Sequence, residues 1–351
     1  MKKYRVGVIG TGFGGRAHVP LFQSHDGFDV VAIVSVRGHI EAAKELSGID
    51  HVYADWEAML DSENLDLVVV ASAVSLHQKM VEAIFAKGVH VLCEKPMAMD
   101  YQEAASMISA RDEAGKWGLI NHEFRFLPAR SKVKEIMERE ELGDITHVRY
   151  ELTHPIYKIL NSKRRGWLGK KEEGGGLLNA LGSHAIDSLH WWMGSTIDSL
   201  KANLTTHVPV FTDENGKVEH RTADDAYQVI GRLENDATVT LDLVTAARKT
   251  THTARLEVYG TNGSLVMCND NQLLLSKGDR TFEPVELRAP LPIPEGIPKA
   301  AVPYYNAFKP MLDALHGTLE TGIKHQWLAD FEDGQATQKV IDDIRSSARS
   351  E

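Results

Sequence analysis

The chain reads as a parallel α/β domain followed by an α+β domain built on a large, mostly antiparallel sheet, and three observations predict it. An apolar run from Val6 to Ile9 leads straight into Gly10-Thr11-Gly12-Phe13-Gly14-Gly15, a GxGxxG pattern at the end of a strand. Short β-branched runs then alternate with helical stretches as far as about Asn121, the order that lays down a parallel sheet with helices on both faces. After Gly143-Asp144 the hydrophobic period falls nearer to two, with turn signals such as Glu234-Asn235-Asp236 and Thr261-Asn262-Gly263 between successive strands; that is the pattern of an antiparallel sheet.

In the first half the strands are expected at Tyr4 to Ile9, Val30 to Ser35, Leu65 to Ala71, Val89 to Cys93 and Gly118 to Asn121, with room for a sixth. The helices between them are expected at Gly14 to Ser24, His39 to Ser47, Trp56 to Leu60, Leu76 to Lys87 and Tyr101 to Ala114. Such a doubly wound sheet is the Rossmann-type, dinucleotide-binding arrangement. A charged helix follows Pro128 and ends near Glu141. The second half carries strands at Ile145 to Thr153, Ala226 to Leu233, Thr238 to Val244, His252 to Tyr259 and Leu265 to Met267, and a helix from Ser183 or His184 to Trp192. Five prolines between Ala289 and Pro303 exclude a regular helix or a central strand there and predict an exposed loop or a subunit-contacting arm. Helices at Asn306 to Leu319 and Gly334 to Ser347 close the chain.

A chain of 351 residues with 43% hydrophobic content exceeds the size at which one core stops growing, about 250–300 residues. Two domains are therefore expected, 1–124 and 125–351, with the last helix free to pack back on the first. The formal charge of −10 argues against nucleic acid or an anionic membrane as partner, since both need a basic surface. Cys93 and Cys268 are too few for a disulfide framework or a multi-cysteine zinc site, which suits a reducing, cytoplasmic setting. The basic residues Lys2, Lys3 and Arg5 belong with a first strand rather than a signal peptide, and no segment reaches the ~20 apolar residues of a membrane span.

The glycine pattern predicts a cofactor site. Gly10 allows the tight turn, Gly12 lets backbone approach a pyrophosphate, and Gly15 lets the following helix pack close. The helix start offers its unpaired N–H groups and positive dipole end to phosphates, so Thr11, Phe13 and Gly14 complete the binding turn. An acidic residue about 20 positions further on reads the ribose in NAD-preferring folds, but this chain has Ser35-Val36-Arg37 there. A guanidinium welcomes a 2′-phosphate, so NADP is favoured over NAD; the plain alternative makes Arg37 a solvated loop charge.

Glu94-Lys95-Pro96 follows the strand Val89 to Cys93, which puts Lys95 at the carboxyl edge of the sheet, where open α/β folds bind ligands. A lysine there can hold a substrate oxygen and exchange a proton with it; otherwise Glu94 and Lys95 form a surface ion pair. Gly174-Gly175-Gly176 leads through Asn179 and Ala180 to His184 at a helix start, with Asp187 one turn later. His184 there can accept a proton from an alcohol, or simply be a solvated capping residue. His184, Asp187 and His190 share helical spacing, but no HExxH or cysteine pair supports a metal, and none is expected. His154, Tyr157, Arg164, Arg165 and Trp167, with His122 and Arg125 from the sheet side, are candidates to line a pocket. Trp191 and Trp192 read as helix packing.

Taken together, these residues resemble the Gfo/Idh/MocA oxidoreductases, the family of glucose-fructose oxidoreductase and inositol dehydrogenase. The resemblance covers nearly the whole length. It rests on Gly10, Gly12 and Gly15, on Leu76-His77, on Val89 to Pro96, on Arg125-Phe126 before Pro128, on the glycine segment ending in His184, and on Phe331-Glu332-Asp333-Gly334. It implies reversible hydride transfer between a carbinol of a sugar, polyol or related derivative and a nicotinamide, with Lys95 holding the oxygen and His184 taking its proton. It further implies cofactor contacts from Ser72, His77, Glu94 and Lys95, and substrate contacts from Arg125, Trp167, Asn179, His184 and Asp187, the substrate lying between the domains. The family motif GGGxLxDxGxH places its aspartate where this chain has Ala180, so Lys95 and His184 work as a pair or with Asp187. The resemblance leaves room for two other readings: a glycosidase that oxidises its sugar transiently, and a cofactor-binding sensor without catalysis. It also implies a homodimer or homotetramer formed through the second-domain sheet.

Overall fold

The computed structural model describes residues 2–348. They form two compact units: the first runs through Phe126 and takes in Pro290–Gln335 again, and the second runs Leu127–Ala289 and resumes at Ala336.

The first unit is built on the parallel strands β1 (Tyr4–Ile9), β2 (Phe28–Val34), β3 (His51–Tyr53), β4 (Leu67–Val70), β5 (His90–Cys93) and β6 (Gly118–Ile120). A short final strand, Ala329–Asp330, adds antiparallel to β6, and the order across the sheet is Ala329–Asp330, β6, β5, β4, β1, β2, β3. In register, Ile9 lies beside Val34 on one side and Val70 on the other. The order reverses between β1 and β4, which is the switch point where such sheets bind ligands. Val68, Val69 and Val70 are wholly buried, as expected when helices cover both faces and strands lose the alternating pattern.

Helix starts and stops follow capping chemistry. The helix Tyr101–Ala114 begins where the Asp100 carboxylate accepts from the N–H groups of Gln102 and Glu103, both at 2.9 Å, and ends at left-handed Gly115. The segment 290–335 belongs with this unit because it fills its core: the helix Tyr305–Thr321 buries Phe308, Met311 and Leu315 in the cluster that holds Val6, Phe22 and Leu67. The division is therefore not one cut near residue 124. The proline-rich stretch is the expected exposed loop over most of its length, with Leu291 and Ile297 packing against the same cluster.

The second unit holds the strands β7 (Ile145–Thr153), β8 (Ile197–Thr205), β9 (Val210–Thr212), β10 (Val218–His220), β11 (Ala226–Leu233), β12 (Thr238–Val244), β13 (Ala254–Gly260), β14 (Gly263–Cys268), β15 (Gln272–Lys277) and β16 (Glu283–Pro284). β9 and β10 form a separate hairpin. The others make one eight-stranded sheet in the order β16-β15-β14-β13-β7-β12-β11-β8, antiparallel throughout except for β12 beside β7. One face buries Tyr150, Leu241 and Val258, and the Tyr150 ring meets Trp192 of the helix Ser183–Met193 edge-on at 5.6 Å. Trp191 and Trp192 are both buried, so both do pack. The opposite face alternates Gln228, Ile230, Thr240 and Asp242, with Ile230 62% exposed.

One ionic node anchors this unit. Arg130, 3% exposed, donates to Asp270 at 2.8 and 3.1 Å, to Ser188 Oγ at 2.8 Å and to Tyr150 Oη at 2.8 Å. Its own carbonyl accepts the Trp192 indole N–H at 3.0 Å. Ser188 lies one turn past His184, so the node holds the helix that carries the histidine. Arg130→Leu should destabilise the second unit by about 3 kcal/mol, because it leaves Asp270 and the two hydroxyls without their donor. Urea unfolding checks this, and Arg130→Leu with Asp270→Leu should recover part of the loss.

Candidate functional site

The glycine turn follows β1 directly. Gly10 has φ +116°, and a Cβ there would sit 2.3 Å from the Ala71 carbonyl oxygen, so only glycine fits. A Cβ on Gly12 would meet no protein atom within 4 Å, leaving the backbone open to a pyrophosphate. At the third glycine the packing is shared. A Cβ on Gly14 would press on Val8 and Ala71 at 3.1 Å, and one on Gly15 would press on Leu46 at 2.9 Å. Gly15 thus seats the turn against the helix Ile40–Ser47, while Gly14 seats it on the strand. The first helical turn, Gly14–His18, is a wide π-turn before the α-helix Val19–Gln23. Phe13 faces inward, edge-on to His18 at 5.3 Å and to Tyr304 at 5.0 Å. This cradle of bare backbone at a helix start suits a dinucleotide.

Around the carboxyl ends of the neighbouring strands the structure gathers Ser72, Glu94, Lys95 and Asn121. The Lys95–Pro96 peptide is cis, and Lys95 is partly exposed. Glu94 is 8% exposed, and its Oε1 accepts from His18 Nε2 and Asn121 Nδ2, each at 2.7 Å, while Oε2 accepts from the Lys95 N–H at 3.2 Å. Burial opposes ionisation of this carboxyl, but the His18 hydrogen bond and charge, the Lys95 charge and Asn121 outweigh it and hold the pKa below the ordinary value. Glu94 is therefore an internal anchor more than an open cofactor contact. His77 is similar: it is buried, its ring nitrogens face the carbonyls of Met97 at 3.2 Å and Ser72 at 3.3 Å, and burial lowers its pKa. It ties the end of β4 to the segment after Pro96.

Ser35 is buried, with Oγ accepting the His39 N–H at 3.0 Å, so it shapes the turn after β2. Arg37 is exposed. Beyond β6, Arg125 is 2% exposed and donates to Asp333 at 3.3 Å. His122 beside it is buried, and burial with the nearby Arg125 and Lys95 charges pushes its pKa well down, keeping it neutral.

In the second unit, the three glycines are each required. Gly174 is left-handed at φ +77°, a Cβ on Gly175 would lie 2.4 Å from the Trp167 carbonyl oxygen, and one on Gly176, φ +107°, would lie 2.4 Å from Asp224 Oδ1. Asp224 Oδ2 accepts the Leu178 N–H at 2.7 Å, which starts a second π-turn, Leu178–Gly182, ahead of the helix Ser183–Met193. His184 and Asp187 are 5% and 2% exposed, one turn apart on the buried face of that helix. Asn179 is a strut: its Nδ2 donates to the Gly174 carbonyl and its Oδ1 accepts from Arg345, both at 2.9 Å. With both amide atoms engaged and the residue 2% exposed, the side chain is fixed in place. Trp167 is 41% exposed.

Sequence reasoning missed His18, Asn121 and Asp224 as parts of the site. His18 lies within the helix expected after the glycine turn and Asn121 at the end of the strand expected at Gly118 to Asn121, so both had a positional signal. Asp224 had none, because it comes from a loop 46 residues beyond Leu178. No helix among the described residues is long and apolar enough to cross a membrane.

Residues 4–122 match the model of an oxidoreductase family with an NAD-binding Rossmann fold, and residues 131–266 match the Gfo/Idh/MocA C-terminal domain. An uncharacterized oxidoreductase of a Synechocystis strain is 32% identical over 285 residues, covering 79% of this chain and 75% of its own. The D-xylose dehydrogenase of Paenarthrobacter nicotinovorans is 26% identical over 341 residues, covering 93% and 84%. Among solved structures, a levoglucosan dehydrogenase in complex with NADH and L-sorbose superposes with a TM-score of 0.88 at 22% identity, covering 100% of this chain and 98% of that one. With both of its domain models matched in order along this sequence, the chain belongs to the Gfo/Idh/MocA oxidoreductase family.

Proposed function

We propose that the protein is a nicotinamide-dependent dehydrogenase that acts on a carbinol of a sugar, polyol or related derivative. The observation that carries this reading is the placement of Lys95: it follows β5 directly, at the sheet edge that also presents the glycine turn, and its backbone is held by a buried carboxylate. Relatives named as sugar dehydrogenases support the substrate class. When bound, the nicotinamide supplies the carbon that takes or returns a hydride.

Lys95 then holds the carbinol oxygen by an ammonium N–H, which favours the alkoxide character that develops as hydride leaves. His184 exchanges the hydroxyl proton, with Asp187 on the same helix face as its companion; Arg125 and Trp167 are the further substrate contacts. Ala180 carries no group for this work. Lys95→Met should lower turnover by about 10²–10⁴-fold while the affinity for reduced nicotinamide, read by fluorescence titration, stays within about threefold. A protein that only senses its cofactor, the reading Ala180 prompts, would be indifferent to that change, and a glycosidase would release its aglycone without net absorbance change at the reduced-nicotinamide band.

For the cofactor we favour NADP. The support is local: no acidic residue follows β2 in Ser35-Val36-Arg37, and Arg37 is exposed there. Since Ser35 Oγ already accepts a backbone N–H, discrimination rests on the guanidinium. Arg37→Ala should weaken NADPH by about tenfold, the size of one charge-assisted hydrogen bond, with NADH unchanged. Equal losses for both, measured by the same titration, would return Arg37 to the role of a loop charge.

The sheet face bearing Gln228, Ile230, Thr240 and Asp242 is our proposed subunit interface, a homodimer or a homotetramer. Ile230→Arg should shift the sedimenting mass toward the monomer.

A further inference from the structure

We propose that His18 is a positioning residue for Lys95, acting through Glu94; the inference rests on the reading of Lys95 given above. Three observations converge on it. His18 is wholly buried at the last position of the π-turn that follows the glycine loop, and its Nε2 lies 2.7 Å from Glu94 Oε1. The same carboxylate accepts Asn121 Nδ2 and, through Oε2, the backbone N–H of Lys95. The imidazole is also clamped by rings: Phe308 edge-on at 5.1 Å, Phe13 at 5.3 Å and Phe22 at 6.1 Å.

The clamp decides the chemistry. His18 Nδ1 is buried without a hydrogen-bond partner among the described residues, so the ring's one polar outlet is Nε2, which donates to Glu94. The phenylalanine rings around it offer that N–H no other polar partner, and a buried donor left unpaired is unfavourable. Glu94 is therefore locked from the glycine-turn side. Because Phe13 belongs to the glycine pattern itself, the turn, the imidazole, the carboxylate and the Lys95 backbone form one chain of contacts within the first unit. Its consequence is that the cofactor turn and the lysine are ordered together rather than separately.

The groups that face Glu94 are His18, Lys95, His77, Cys93, His122 and Tyr304. Of these, His18 is the side chain seen to donate to its carboxylate, alongside the neutral Asn121. A carboxyl whose folded pKa is depressed contributes stability above its ordinary value, 4.5, and loses it as pH falls through the folded pKa. Without the His18 donor, burial is less opposed and the folded pKa rises, so Glu94 contributes less stability above 4.5 and the loss on acidification becomes smaller.

The test compares wild type with His18→Leu, His18→Gln and Asn121→Ala, reading turnover, NADH and NADPH affinity by fluorescence, and melting temperature against pH. The glutamine amide places an N–H donor close to the position of Nε2, so it should rescue. We expect His18→Leu to lose on the order of 10- to 100-fold in kcat, as for a misplaced reacting group, with cofactor affinity within about threefold. Its melting temperature should fall most at neutral pH, so that the further drop on acidification through 4.5 is shallower than in wild type, and His18→Gln should restore both. A glutamine variant no better than leucine, or a leucine variant whose loss on acidification is as steep as wild type's, overturns the proposal. Should His18→Leu fail to fold, Asn121→Ala removes the other donor to the same oxygen and must make the acid limb shallower; an unchanged slope refutes the linkage. Turnover retained in Lys95→Met would instead sink the dehydrogenase reading, and the melting curves would still decide whether His18 governs Glu94.

Discussion

Burying an ionised carboxylate costs several kcal/mol even after relaxation, and the first unit does so at the carboxyl end of its central strands. Glu94 survives there as the charged form because three donors converge on it, from the helix after the glycine turn, from its own backbone neighbour and from the residue after β6. Each donor comes from a different element, so the carboxylate can be satisfied only when β1, β5 and β6 have reached their native register. The sheet order that sets these three strands within reach is thus coupled to the chemistry at its edge. Phe13 and Phe308 then close the apolar wall that keeps water from competing for the His18 hydrogen bond.

The two units solve a shared problem by a shared device. In both, a glycine-rich segment leads into a π-turn, Gly14–His18 in one and Leu178–Gly182 in the other, and an α-helix follows. A wide turn of this kind departs from the i→i−4 pattern and is found often at functional sites. In both units its cost is offset by close packing onto glycine and by side-chain acceptors, Glu94 for His18 and Asp224 for the Leu178 N–H. Asp224 carries the mark of its position: burial raises its pKa, partly opposed by the Leu178 N–H and the Arg345 charge.

Much of this was legible in the sequence, and the boundary of legibility is physical. Strands Tyr4–Ile9, Ile145–Thr153, Ala226–Leu233 and Thr238–Val244 and the helix Tyr101–Ala114 match the expected limits, because strong periodicity and capping residues mark their ends. β3 was allowed only as a sixth strand without a position, and β8, β15 and the β9–β10 hairpin were not expected. Ile197–Thr205 alternates only weakly, with the polar run Asp198-Ser199 and Lys201 inside it, and His51–Tyr53 and Val210–Thr212 are too short to show a period. The return of 290–335 to the first core was hidden for another reason: the proline-rich stretch is exposed over most of its length, as it reads, and only Leu291 and Ile297 within 291–300 reach the core. At the site, spacing located the glycine turn, Glu94-Lys95 and the glycine segment before His184. It could not tell that the Asn179 amide is held by Gly174 and Arg345, since that depends on a helix that arrives 166 residues later.

That strut bears on how the second unit can work without an aspartate at position 180. Asn179 is the nearest polar side chain, but turning it toward a substrate would strip Arg345 of an acceptor and Gly174 of a donor, both buried or nearly so. Losing a buried partner costs about 1–3 kcal/mol each, more than a hydrogen bond to a hydroxyl returns. On the segment from Gly174 to Asp187 the titratable side chains are then His184 and Asp187 alone, on one helix face and held by the Arg130 node through Ser188. Any proton chemistry contributed by this segment therefore falls to that pair, and its geometry is set by packing beneath the helix rather than by the loop above it.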